Sequence, residues 1–179
     1  MPDHEPPSPS PDALALEVRQ CREALGLDAD TERLEVRPLP PPAPETDAEV
    51  TAALNAFLSS LEFPEVGPDW RQAGWHELTP EEAARLLTHL LSRTLAYGDL
   101  KRELADAREG ALAFLSLVGP ASHLLTNSSL HTVLLPDGSL PPGGYSYSSG
   151  RLLTPATFEG GVLAVGTGRI GLLWFTDED

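Results

Sequence analysis

The chain has 179 residues, of which 41% are hydrophobic, and 27 acidic residues against 12 basic ones give a formal net charge of −15. That length fits one domain with flexible ends, and the charge argues against a nucleic-acid surface, which needs clustered Lys and Arg. The single cysteine, Cys21, excludes an intrachain disulfide framework and a Cys-based zinc site, so a reducing, cytoplasmic location is expected.

The first stretch, residues 1–11, carries Pro2, Pro6, Pro7, Pro9 and Pro11 among Ser and acid and reads as a disordered tail. It is the reverse of a secretory leader, which opens basic and then turns apolar. Residues 12–37 follow as an N-terminal helix and a possible short strand. Pro11 suits a first helical turn, Leu14, Val18, Cys21 and Leu25 form one apolar stripe, and Gly26 ends it. Cys21 is thereby assigned to a packed face. Leu34 and Val36 alternate with charge, as in a strand. Residues 38–45 are a Pro-rich linker, extended by its prolines.

The main domain is expected over 46–179, with helices in 46–118 and a sheet in 129–176. Thr46 and Glu49 have capping-box spacing, and Val50, Leu54, Phe57, Leu58 and Leu61 line the helix that follows. The irregular stretch from Glu65 to Leu78 holds Trp70 and Trp75, which either fold back on the core or serve as interface anchors. Thr79, Pro80 and Glu82 mark the clearest helix start in the chain. The leucine stripe behind it predicts a helix to Tyr97, and Gly98 then Asp99 predict an immediate second helix to Val118. The two would make a long antiparallel helix hairpin.

Beyond Pro120 the texture becomes that of strands, with 10 of the 15 glycines at or after Gly119. Strand-then-turn patterns run from Leu130 to Pro136-Asp137-Gly138 and from Gly161 to Gly168, with Ile170 to Phe175 returning. Tyr145, Tyr147, Leu152 and Leu153 offer one or two more strands. The uncharged run from Gly110 to Pro136 is broken by Gly119-Pro120 and holds His123, Asn127 and His131, so no membrane span is expected.

The glycines Gly166, Gly168 and Gly171 match a dinucleotide-binding fingerprint. That mechanism needs a following helix to face the pyrophosphate and a later acid for the ribose, and only Leu172 to Asp179 follow. A hairpin turn is the expectation, and no cofactor. No serine sits on a nucleophile elbow, and His4, His76, His89, His123 and His131 lack metal-ligand spacing. Catalytic and metal residues are therefore not assigned. Asp177, Glu178 and Asp179 follow a strand carrying Trp174 and suit an Arg or Lys surface.

Together these readings predict an α+β fold, with N-terminal helices packed on a small C-terminal antiparallel sheet. The function expected is that of a non-catalytic, acidic protein-binding factor of inhibitor, immunity or adaptor type. Its partner would be a protein with a basic surface, met through Trp70, Trp75, Asp177, Glu178 and Asp179. The alternatives are a structural subunit of a larger assembly and an enzyme using His123 or His131 with an acid such as Asp137.

Overall fold

The computed structural model of the protein describes residues 11–142 and 152–178. Helix α1 (Pro11–Leu25) is followed by strand β1 (Glu32–Pro38), helix α2 (Asp47–Ser59) and the two-residue strand β2 (His76–Glu77). Helices α3 (Pro80–Ser92) and α4 (Leu104–Val118) come next, then β3 (Ala121–Thr126), a 3-10 turn at Ser129–Thr132, β4 (Phe158–Gly166) and β5 (Arg169–Asp177). The α+β class is thus as the segregation of patterns implied. The five strands form one sheet in the order β1-β5-β4-β3-β2, every pair antiparallel.

Local signals place most helix starts. Thr46 with Glu49 and Thr79 with Glu82 each close a full capping box, satisfying N–H groups that the first turn leaves open. Gly26 adopts φ +55°, a left-handed conformation that stops α1. The hairpin joining β4 to β5 turns at Thr167 and Gly168, so the apparent cofactor fingerprint is a strand connection.

Both faces of the sheet are buried. On one, α1, α3 and α4 pack Leu25, Leu86, Leu90 and Phe114 against Leu124, Val162, Ala164 and Leu173. On the other, α2 and the irregular residues after it pack Leu54, Leu58, Trp70 and Trp75 against Leu163, Val165, Leu172 and Trp174. A strand with apolar side chains on both faces loses its alternation, which is why β4 and β5 read as continuous apolar runs. Gly161 makes this packing possible: a Cβ there would stand 2.6 Å from the Trp174 ring and collide with the Leu173 carbonyl.

The N-terminal segment is integral to the sheet. β1 pairs along its length with β5, Leu34 opposite Leu173 and Val36 opposite Gly171, and its outer edge is covered in part by Arg22, which donates to the Leu34 carbonyl at 2.6 Å. Pro38, at the end of the strand, offers no N–H to a further strand.

Three local expectations are corrected. The helix expected to reach Tyr97 ends at Ser92, and the next starts at Leu104, so no long hairpin closes at Gly98. Residues 93–103 instead fold on themselves through an Arg93–Leu100 bridge, with Lys101 N–H donating to the Ser92 carbonyl at 2.7 Å. The strand expected from Leu130 to Leu135 is the 3-10 turn, capped by the Ser128 hydroxyl, which accepts from Leu130 N–H. The strand is the preceding Ala121–Thr126, which enters the sheet directly after Gly119-Pro120. Leu152 and Leu153 form no strand, while Tyr145 and Tyr147 lie outside the described residues.

Candidate functional site

Among the described residues, ionisable side chains gather along β2. Consecutive strand residues face opposite sides of a sheet, so His76 and Glu77 start two separate constellations. β2 is aligned by β3, with His76 opposite Thr126 and Glu77 opposite Leu125.

On the α2 side, Glu77 Oε1 lies 2.8 Å from His123 Nδ1, and Glu77 Oε2 lies 3.2 Å from Arg71 Nη2. Arg71 also grips Asp47 with two bonds, Nε to Oδ2 at 2.9 Å and Nη2 to Oδ1 at 3.2 Å. The Asp47 carboxyl is accordingly held below its ordinary range, first by the hydrogen bond from Arg71. Beneath this row lies the Trp70 ring, with the Arg71 guanidinium 4.1 Å from its centroid and the His123 ring edge-on at 6.5 Å. Trp70 is 1% exposed and Trp75 3%, and Trp75 rests against Trp174 with centroids 5.9 Å apart. Both rings therefore belong to the core and offer no anchor on the folded surface.

On the α3 side, the His76 ring packs against His131 at 4.9 Å. His131 Nδ1 is 2.6 Å from the Ser128 carbonyl, which only a protonated nitrogen can satisfy, leaving Nε2 as the ring's other nitrogen. Burial, and then the neighbouring His131, push the His76 imidazole below its usual range.

The arrangement is chemically a carboxylate–imidazole pair, with His123 Nδ1 turned to Glu77 Oε1. No group of three or more potential metal ligands occurs among the described residues. The two histidines singled out from the sequence are brought to adjacent β2 residues. Asp137 is not with them: its Oδ1 accepts from Ser139 N–H and hydroxyl in a turn. Arg71, Asp47 and Glu77 were not legible as partners, because they come from three segments joined only by the fold. The His76-Glu77 dipeptide was the one local trace.

The acidic end of the chain is partly structural. Asp177 accepts backbone N–H groups from Leu95 and Ala96, and Glu178 accepts from the Thr157 hydroxyl at 3.2 Å. Asp179 lies outside the described residues. A second carboxylate, Glu159 on β4, is completely buried and accepts from Thr154 N–H at 2.7 Å, the Thr154 hydroxyl, Leu153 N–H and Asn127 Nδ2.

Away from this edge, α3 and α4 enclose an apolar groove of about 620 Å³. Ala84 and Thr88 line it from α3 and Leu112 and Leu115 from α4, and Pro136 joins them from the turn beyond β3. Leu112 is 49% exposed, in a chain whose core leucines are almost wholly covered.

No protein family, no curated protein and no solved structure matches the chain. No helix among the described residues is long and apolar enough to cross a membrane.

Proposed function

We propose that the protein is a non-catalytic binding factor, of inhibitor, immunity or adaptor type, that engages a partner protein through the partner's basic surface. What supports this reading is the disposition of charge. Arg22, Arg33, Arg71, Lys101 and Arg169 are spent in ion pairs with the chain's own acids, and Arg93 on the Gly98 carbonyl. Meanwhile Glu103, Asp106 and Glu109 stand exposed at the start of α4 with Arg108 among them, and the chain as a whole carries −15. A field of that sign accelerates encounter with a basic surface and weakens as salt screens it. Capture of a tagged chain's partners from cell extract at low and high salt tests the reading. A retained set that is basic and released by salt is expected; retention indifferent to ionic strength rejects it.

A second reading, an enzyme built on the Glu77–His123 pair, is favoured by the 2.8 Å contact alone. It expects a turnover, once a substrate is found, that His123→Gln abolishes and Asp137→Asn leaves intact.

A further inference from the structure

The α3–α4 groove carries basic side chains of its own. Two guanidiniums line it, Arg85 from α3 and Arg108 from α4, in a chain where five other cations are taken up in internal ion pairs. Neither makes an ion pair within 4 Å or a side-chain hydrogen bond among the described residues, although Glu82 on the same helix as Arg85, its pKa lowered first by the bond from Thr79 N–H, also feels the Arg85 charge in the same direction. Two acids also line the groove. Asp137 is engaged by Ser139, and Glu81 stands in the first turn of α3 without bridging Arg85 one turn on. The groove is thus formally neutral within a molecule of charge −15. The two guanidiniums can only donate hydrogen bonds.

We infer that this groove is a binding site for a small apolar molecule headed by a carboxylate, its chain lying on Ala84, Leu112 and Leu115 and its head between Arg85 and Arg108. The volume falls within the roughly 300–1,000 Å³ range of small-molecule sites, and such sites are mostly apolar with a few convergent polar groups. The lining residues run from Glu81 to Thr88, about two helical turns or roughly 10 Å, which suits a medium-length alkyl or aryl chain. A guanidinium presents a planar fork that matches a carboxylate bidentately. The end wall is fixed in place: Gly138 lies where a Cβ would come within 3.1 Å of the Arg85 carbonyl and of Thr88, and its carbonyl meets His89 Nδ1 at 3.1 Å. The turn that carries Pro136 and Asp137 is therefore packed closely against α3.

The test is a titration of the full chain, followed by amide NMR shifts, with decanoate, decanol and decylamine, each below its aggregation threshold. Decanoate is expected to shift Ala84, Thr88, Leu112 and Leu115 together and to bind about tenfold more tightly than decanol, the advantage of a charge-assisted pairing. Arg85→Gln with Arg108→Gln should bring decanoate down to the decanol level, and the exposed Arg108→Gln alone, which cannot disturb the core, should remove part of the difference. Leu112→Ser should weaken both ligands. Decylamine binding as tightly as decanoate at the same residues would overturn the proposal and assign the groove to a Lys-flanked segment of a protein. Shifts scattered over the sheet, or an affinity indifferent to both arginines, would overturn it as well.

Discussion

The Asp177 carboxylate, at the last residue of β5, accepts the backbone N–H of Leu95 at 2.9 Å and so holds the non-helical chain that follows α3. The same oxygen takes Ala96 N–H at 3.1 Å. This one side chain accounts for donors that would otherwise be unpaired once α3 stops at Ser92. Asp177→Ala should lower stability by about 1–3 kcal/mol, the usual cost of losing a charged acceptor from partly buried donors. Glu178→Ala, beside it and exposed, should change it little. Urea midpoints of the two variants provide the comparison.

Glu159 is the deepest carboxylate among the described residues and no cation among them pairs with it; four neutral donors surround it instead. Removing the acceptor strands those donors in the interior. Glu159→Ala should cost about 2–4 kcal/mol, and Glu159→Gln, which turns one acceptor into a donor facing Thr154 N–H, should recover only part of it. Thermal denaturation separates the two. Full recovery by Gln would show that volume, not acceptance, matters there.

A pH dependence follows from His89. Its imidazole is pushed below the usual 6.5, chiefly by burial, against a smaller opposing effect of the hydrogen bond to Gly138. The unfolded chain therefore takes up a proton at a higher pH than the folded one. The stability contributed by neutral His89 is complete above about 6.5 and is lost as pH falls toward the depressed folded value. His76 is shifted in the same direction and adds to the loss. His89→Asn keeps a side-chain donor for the Gly138 carbonyl without titrating, so its stability should fall less steeply between about pH 6.5 and 5 than that of the parent. Denaturant titrations across that interval measure the two slopes.

Gly161 on β4 lies directly opposite Trp174 on β5. Gly161→Ala should be among the most damaging single-methyl additions in the chain, at about 2–4 kcal/mol, because the new Cβ meets the backbone at Leu173 rather than a movable side-chain end. Gly168→Ala, in the exposed hairpin turn with open space around it, should cost far less. Paired melting curves check the contrast.

The amino-acid sequence by itself determined what depends on neighbours a few residues apart. The Thr46–Glu49 and Thr79–Glu82 capping boxes, the α1 stripe ending at Gly26, and the β4–β5 hairpin across Thr167 and Gly168 all arise from backbone groups and side chains within one turn or one hairpin. The tertiary structure alone decided where long-range contacts override such preferences. Leu95 and Ala96 sit in a helix-compatible run, yet Asp177, more than eighty residues away, captures their N–H groups and the helix is already over. β1 becomes a full sheet member only because β5 offers it an edge. Trp70 and Trp75 look like loop aromatics until the second face of the sheet covers them. The Asp47–Arg71–Glu77–His123 row likewise draws one residue from each of four segments. Contacts of this kind depend on which chain segments the fold brings together, a property no local spacing encodes.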